Sequence, residues 1–269
     1  MDSKKLAKNI RKDVVLMTSS AGAGHIGPIL SIVDIVSVLY AKVMKYDRKD
    51  PKNPNRDRFI LSKGHAGACV YACLAEVGFF DRQELVNYYS ANGTTLSGHV
   101  THKGNPGVEF STGSLGHGVS VATGMALAGK MDKKNYRVFT IAGNGECNEG
   151  SIWEAIAFAS HHKLDNFTLI VDHNRIQSMG DSDKILDMGT YAEKFKAFGA
   201  FVVEVDGHNH EQLEQALKFK AKGQPLVVIA HTIKGKGVSF MENNNLYHSA
   251  YAKGEDLNRA LREIEEDKR

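Results

Sequence analysis

The sequence contains little of what builds disulfide-stapled folds, membrane spans or nucleic-acid surfaces. Its 3 cysteines are too few for a disulfide framework, so we expect reduced thiols and a cytoplasmic location. No run of about 18 apolar residues occurs, and the first residues lack the apolar core of a signal peptide, so no membrane partner is expected. The formal net charge is only +3, without a basic stripe interleaved with aromatics, which argues against nucleic-acid binding.

Proline is scarce as well, whereas glycine is abundant. The chain has 5 prolines and 26 glycines, and 12 of those glycines lie between Gly93 and Gly150. Because glycine has no Cβ, it lets the backbone pass close to another group. The glycines therefore predict that this part of the chain approaches a ligand or another segment closely.

The hydrophobic pattern predicts one α/β domain over residues 1–269, with a parallel β-sheet flanked by helices. Predicted strands cover 58–62, 138–142, 167–171, 201–206 and 225–231. Predicted helices cover 3–20, 29–46, 66–77, 81–90, 114–130, 149–163, 190–198, 209–222 and 255–269. Strands that alternate with helices form parallel sheets whose ligand loops lie at the carboxyl ends of the strands.

The strongest chemical signal follows two consecutive strands. Residues 143–150 (GNGECNEG) follow one strand and residues 171–176 (VDHNRI) end the next, so that Asn144 and Asn174 lie 30 positions apart. Two oxygen-bearing side chains on neighbouring strand ends can share one hard cation, and glycines let backbone N–H groups reach a phosphate. Each segment alone is compatible with an ordinary turn, but the pair at this spacing predicts a diphosphate–metal site.

Three histidines adjoin glycine on predicted loops, namely His25, His65 and His99. A neutral imidazole at a sugar site donates to a hydroxyl or moves a proton near neutral pH. The flanking glycines favour such a role over a buried core position or an idle surface position. Four other histidines lack that context and are predicted to be surface or supporting residues: His161, His162, His208 and His210.

Two further patterns are misleading. Residues 22–27 match the GxGxxG dinucleotide fingerprint, but they follow a predicted helix rather than a strand, so nicotinamide binding is not expected. Cys69 and Cys73 have helical spacing, and no histidine or cysteine completes a zinc site with them.

Taken together, the motifs resemble those of transketolases, in the same order and over nearly the whole chain. The matching segments are RFILSKGHA at 58–66, TGSLG at 112–116, GNGECNEGSIWEA at 143–155, TIKGKG at 232–237 and Tyr247-His248. The resemblance covers only the family's amino-terminal, diphosphate-binding (PP-type) domain. It therefore implies the first part of a split transketolase whose other subunit carries the pyrimidine-binding domain.

The resemblance also implies roles for individual residues. The metal ligands for Mg²⁺, or Ca²⁺ or Mn²⁺ in its place, would be Asn144, Asn174 and the main-chain carbonyl of Ile176. Thiamine diphosphate would be held by His65, Gly113, Ser114, Leu115, Gly145, Asn174 and Lys234. The catalytic group would comprise His25, His99 and His248 in the substrate channel and Glu149 at the subunit interface.

The implied activity is the transfer of a two-carbon ketol unit from a ketose phosphate to an aldose phosphate. It requires the C-terminal, pyrimidine-binding subunit, and we expect a homodimer of the chain alone and a heterotetramer of the complete enzyme. Two alternatives stay open. The first is a related thiamine-diphosphate enzyme that acts on another sugar or resembles deoxyxylulose-phosphate synthase, and the second is a non-catalytic partner subunit.

The sequence departs from the family pattern at several positions. The usual metal-binding aspartate is Asn144, whose carbonyl oxygen can ligate a cation but brings no charge, so metal affinity should fall. The other departures are His117 for glutamine, Ile26 and Val100 for prolines, and Tyr247 and Ser249 for the tryptophan and glycine that flank the late histidine. Asn144 favours the non-catalytic alternative, whereas the retained histidines and Lys234 argue against it.

Overall fold

A computed structural model describes residues 1–267 and contains one five-stranded sheet, all of whose strand pairs are parallel. The strands are β1 (Arg58–Leu61), β2 (Val138–Gly143), β3 (Phe167–His173), β4 (Phe201–Asp206) and β5 (Leu226–His231). Their order across the sheet is β1-β2-β3-β5-β4. The predicted α/β class and all five predicted strands are confirmed.

Helices cover both faces of the sheet, and most of them coincide with predicted helices to within a few residues, whereas the short helix Ser182–Ile185 was not predicted. They are α1 (Ser3–Ala21), α2 (Ile26–Ser31), α3 (Val33–Val38), α4 (Gly67–Glu76), α5 (Gln83–Tyr88), α6 (His117–Met131), α7 (Gly150–His161), α8 (Ser182–Ile185), α9 (Tyr191–Ala197), α10 (His210–Lys218) and α11 (Glu255–Glu266). The predicted helix over 255–269 corresponds to α11, and its last two positions lie outside the described residues.

Local chemistry explains where the first helix begins and ends. The Asp2 carboxylate accepts hydrogen bonds from the backbone N–H groups of Lys4 and Lys5 and so caps α1. At the other end Gly22 adopts a left-handed conformation with φ of 62° and donates to the Ser19 carbonyl. These two caps fix the point at which the chain turns toward the loop that contains His25.

The predicted helix over 29–46 is wrong as a single element. The chain forms α2, then α3, and then one π-helical turn over Leu39–Val43, with a break at Ile32, whose φ is −102° and ψ is 1°. Residues 26–40 are all buried, so packing on every side decides the path of the backbone. The helical spacing of the apolar residues alone does not show where the helix breaks.

Two hydrophobic clusters sandwich the sheet. One lies between the sheet and helices α1 to α4, and the other lies between the sheet and helices α6, α7 and α9. The central strands β3 and β5 are buried over nearly their whole length, as parallel strands covered on both faces are. Within residues 1–267, no helix is long and apolar enough to cross a membrane.

Candidate active site

The carboxyl ends of four strands bring the predicted site residues to one edge of the sheet. A short turn, Gly64–Ala66, follows β1, and another, Gly145–Asn148, follows β2. The parallel register pairs Gly143 with Asp172 and His173 with His231, so these strands end at the same level. The motifs therefore meet because the sheet is parallel, as the strand-end argument predicts.

A cleft of about 290 Å³ lies at this edge. Most of the predicted site residues line it: His25, His65, His99, Gly113, Leu115, Asn144, Gly145, Asn174, Ile176, Lys234 and His248. Ser114 and Glu149 are exposed and are not among the lining residues, and Glu149 directly precedes α7. Their proposed contacts to cofactor and partner stay predictions.

Four histidines form a cluster around the cleft. The ring centroid of His25 lies 5.3 Å from that of His65, 5.8 Å from that of His99 and 5.5 Å from that of His248. His25 has a φ of 71°, in the left-handed region that non-glycine residues rarely adopt, and its N–H donates to the His248 carbonyl at 2.9 Å. The hydrogen bond holds a strained backbone that turns the imidazole into the cluster.

The environment keeps three of these histidines, His25, His65 and His248, neutral. Burial lowers the pKa of His65 well below its usual value, and the charge of Lys63 lowers it further. Burial and the neighbouring Lys234 ammonium lower the pKa of His248 to about 4. Burial, followed by the neighbouring His99, also lowers the pKa of His25. Near neutral pH these imidazoles can both donate and accept hydrogen bonds.

Lys234 is fully buried, and its ammonium group lies among oxygen and nitrogen acceptors. It donates to the Gln177 carbonyl at 3.1 Å, to the Ile176 carbonyl at 3.3 Å and to His248 Nδ1 at 3.0 Å. Burial and the charge of Lys63 lower its pKa to about 8. Because His248 Nδ1 accepts this bond, the neutral imidazole carries its proton on Nε2.

Asp172 is the polar centre beneath the cleft. Its Oδ2 atom accepts from Lys63 Nζ at 2.6 Å, from Ser31 Oγ at 2.7 Å and from Asn174 Nδ2 at 2.9 Å, and Oδ1 accepts from the Thr232 hydroxyl. Burial acts to raise the pKa of Asp172, but the Lys63 charge and these hydrogen bonds outweigh it and lower the pKa. The group is therefore a carboxylate that organises its neighbours.

The three predicted metal ligands offer neutral oxygens to the cleft. Asn174 Oδ1 accepts from the Ile176 N–H at 3.0 Å while its amide nitrogen faces Asp172, so the carboxamide orientation is fixed from both sides. Asn144 Nδ2 donates to Ser182 Oγ at 2.5 Å. Amide and carbonyl oxygens are ligands that Mg²⁺ and Ca²⁺ accept, so the donor set fits a hard divalent cation.

The surroundings also fit a diphosphate. A Cβ atom added at Gly145 would lie 2.8 Å from Gln177 Cγ, so a larger residue there would displace the Gln177 side chain, which lines the cleft. Gln177 Nε2 is buried without a hydrogen-bond partner among the described residues, and Gln177 lines the cleft. An unpaired buried donor beside two lysines suits an anionic ligand.

Glu146 ties two glycine-rich loops together below the cleft. Its Oε1 atom accepts from the Gly116 N–H at 2.8 Å and from the Ser62 hydroxyl, and Oε2 accepts from the Gly143 N–H at 3.1 Å. A single buried carboxyl group thus holds the loops that carry Gly113, Leu115 and Gly145 in fixed positions.

Sequence reasoning missed the residues behind the ligands: Lys63, Asp172, Glu146, Gln177 and Ser182. Lys63 and Asp172 lie inside the recognised motifs, and Asp172 follows the apolar strand residues 169–171, where a charged residue signals a buried partner. Ser182 has no comparable signal, because its contact depends on a loop whose path the sequence does not indicate.

The misleading patterns have structural explanations. A Cβ atom at Gly24 would lie 2.6 Å from the Ser249 carbonyl oxygen, so the glycines of 22–27 serve chain packing. Cys69 and Cys73 are buried in α4, and burial raises the pKa of Cys69 to about 12. In the described part of the chain, no group of three or more His, Cys, Asp or Glu side chains is placed to hold a metal ion.

A larger cavity of about 440 Å³ lies outside the cleft, beside Asp34. Asp34 is already paired there, since it binds Arg11 at 2.5 Å, His208 at 2.8 Å and His210 at 3.0 Å. His208 Nε2 also accepts from the Ile233 N–H at 2.8 Å, which makes His208 a support for the segment that carries Lys234. The prediction of a supporting position is confirmed for His208.

The parallel sheet, the glycine-rich strand ends and the cleft define a diphosphate-binding domain of the class that binds thiamine diphosphate. The family described as "Transketolase, thiamine diphosphate binding domain" matches residues 2–265. The chain belongs to the transketolase family. This confirms the resemblance inferred from the motifs and the predicted class of transferase.

Individual relatives agree with this assignment. The chain is 39% identical over 258 residues to an apulose-4-phosphate transketolase subunit of Phocaeicola vulgatus, covering 95% of this chain and 91% of that protein. It is 38% identical over 269 residues to a 6-deoxy-6-sulfo-D-fructose transketolase subunit of a Clostridium species, covering 99% and 98%. The solved transketolase of Leishmania mexicana superimposes with a TM-score of 0.91 at 28% identity, covering 99% of this chain and 42% of that one.

Proposed function

We propose that the chain is the diphosphate-binding subunit of a split transketolase that depends on thiamine diphosphate and a divalent cation. In this proposal it transfers a two-carbon ketol unit from an anionic ketose to an aldose phosphate and works only with a second subunit. The cleft carries the proposal, because residues from five separate motifs converge on it. The near-complete match to relatives named as subunits supports the split arrangement.

The chain's own residues hold the cofactor and the cation. Asn144, Asn174 and the Ile176 carbonyl provide oxygens for Mg²⁺, while Gly145 and Lys234 hold the diphosphate. When bound, thiamine diphosphate supplies the electron sink for carbon–carbon bond cleavage, and the protein supplies position and proton handling. His65 lies in the same cleft and completes the cofactor contacts.

The other histidines of the cluster act on substrate hydroxyl groups. His248 carries its proton on Nε2 and can donate it to a sugar oxygen, since Nδ1 is engaged by Lys234. The His25 ring lies 5.8 Å from the His99 ring and 5.5 Å from the His248 ring, so one sugar can contact several imidazoles. Because His25 and His248 stay neutral near pH 7, each can accept a proton as well as donate one.

A second chain completes the site in this proposal. Met179 and Leu246, next to residues at the cleft, are 79% and 66% exposed. The hydrogen bond between Asn245 and Ser178 joins the two segments that carry these apolar side chains, which supports a surface that another chain covers. We infer that the pyrimidine-binding subunit lies there, giving a heterotetramer with two composite sites.

The two named relatives act on different ketoses, one phosphorylated and one sulfonated. The donor of this enzyme therefore belongs to the class of ketoses with an anionic group, and a sugar other than a pentose phosphate is the principal alternative. A non-catalytic role is disfavoured, because a scaffold requires neither the histidine cluster nor the buried Lys234.

Calorimetric titration of thiamine diphosphate, with and without Mg²⁺, tests the proposed cofactor site. We expect Mg²⁺-dependent binding that weakens at least tenfold in His65→Ala and stays unchanged in His162→Ala, which alters an exposed histidine on α7's carboxyl end. Normal binding to His65→Ala would remove His65 from the site. Failure of the unmodified chain to bind, by itself and with its partner, would overturn the proposed function.

A further inference from the structure

The asparagine that replaces the usual metal-binding aspartate has a dedicated hydrogen-bond partner. Asn144 Nδ2 donates to Ser182 Oγ at 2.5 Å, and the two residues are 1% and 4% exposed. Ser182 is the first residue of α8, 38 positions away along the chain. This contact therefore depends on the folded path of the loop after β3.

We propose that Ser182 is a positioning residue that turns the Asn144 carboxamide so that its oxygen faces the cation. The proposal rests on the proposed function, because it concerns the same cation site. A carboxylate has two equivalent oxygens and ligates in either orientation, whereas a carboxamide ligates through one end only. Asparagine at this position therefore needs an orienting group that aspartate does not need.

The surrounding contacts leave only the side chain of Asn144 free to turn. Its backbone N–H donates to the Asp172 carbonyl at 3.1 Å, and its carbonyl accepts from the Tyr191 hydroxyl at 3.0 Å. With the backbone fixed at both ends, the hydrogen bond to the Ser182 hydroxyl holds the carboxamide with its nitrogen toward Ser182 and away from the cation.

The second asparagine ligand shows the same arrangement. The amide nitrogen of Asn174 donates to the buried Asp172 carboxylate, and its oxygen remains on the side of the Ile176 N–H. Both carboxamides thus direct nitrogen toward buried acceptors and leave oxygen for a cation. The Asp172 carboxylate can only accept, and the Ser182 hydroxyl is the acceptor that the Asn144 amide nitrogen uses.

Removal of the hydroxyl should weaken binding through orientation. In Ser182→Ala the amide nitrogen of Asn144 loses its acceptor in a site where water has little access, so the nitrogen is favoured to turn toward the cleft. Binding of the cation then requires the carboxamide to rotate back, and that rotation lowers the affinity. A single unpaired buried donor corresponds to about a tenfold loss of affinity.

A double-mutant cycle tests the proposal by calorimetric titration of thiamine diphosphate into the full chain at fixed Mg²⁺. Ser182→Ala should weaken binding about tenfold in the natural chain but less than about twofold in the Asn144→Asp background, where orientation is irrelevant. Ser182→Thr, which keeps the hydroxyl, should restore most of the loss. Thermal unfolding of every variant gives a readout that separates local misfolding from lost orientation.

Equal losses in both backgrounds would overturn the proposal, because Ser182 would then act through the loop and not through the carboxamide. Unchanged affinity in both backgrounds would overturn it as well. If the unmodified chain and all variants failed to bind the cofactor, by themselves and with the partner subunit, the proposed function itself would fall, and this inference with it.

Discussion

The buried ion pair beneath the cleft provides the sharpest test of the packing account. Lys63 is 2% exposed, and its ammonium group contacts the Asp172 carboxylate at 2.6 Å and the Pro28 carbonyl at 3.0 Å. Asp172→Asn keeps the size of the side chain but removes its charge, which leaves the Lys63 ammonium buried without a counter-ion. Breaking a buried pair in this way costs about 3–5 kcal/mol of unfolding free energy.

Urea unfolding of the full chain measures this loss directly. In thermal unfolding, a large domain loses about 2–4 °C of melting temperature per kcal/mol of unfolding free energy. The melting temperature of Asp172→Asn should therefore fall by roughly 6–20 °C. Asp132→Asn, at an exposed position after α6, is the matched control and should change stability by less than about 0.5 kcal/mol.

The double variant Lys63→Met/Asp172→Asn separates the ion pair from general damage to the core. If the unpaired ammonium causes the loss, removing it should recover part of the stability, and the two single losses will not add. A loss below about 1 kcal/mol in Asp172→Asn, or strict additivity in the double variant, would refute this reasoning.

Three further predictions concern the cleft. His99→Ala and His248→Ala should lower kcat at least about a hundredfold and leave cofactor affinity unchanged, and a loss confined to cofactor binding would contradict their assignment to substrate. Asn144→Asp should tighten Mg²⁺-dependent cofactor binding in calorimetry, since it adds a charge beside the cation, and equal or weaker binding would show a site adapted to asparagine. The pKa of His248 is about 4 in the folded chain and about 6.5 in the unfolded chain, so only the unfolded chain takes up a proton as the pH falls below 6.5. The unfolding free energy should therefore be highest above pH 6.5 and decrease as the pH falls toward 4. His248→Ala should flatten the unfolding free energy against pH in that window, and an unchanged slope would contradict the shift.

The strands and their ends were predictable because their signals are local. Short apolar runs end at Asn144, Asn174 and Lys234, and parallel topology alone places those ends at one edge. The path of residues 26–43 was not predictable, because residues 26–40 are all buried, polar ones included, and packing decides where the helix breaks.

The contacts that support the predicted metal and cofactor ligands could not be predicted from the sequence, for a different reason. Lys63 and Asp172 are 109 positions apart, and Asn144 and Ser182 are 38 apart, so each pair exists only in the folded chain. Glu149 shows the converse case. Its predicted role is a contact with a second chain, so it stays a prediction.

The central claim is that this chain contributes one side of a composite active site, and ketol transfer by the purified chain tests it most directly. The assay compares the chain by itself, the pyrimidine-binding partner by itself and the two combined, over several ketose donors, with sedimentation to report assembly. We predict no turnover by either chain in isolation and thiamine-diphosphate-dependent turnover by a heterotetramer. Robust turnover by the lone chain would contradict the account.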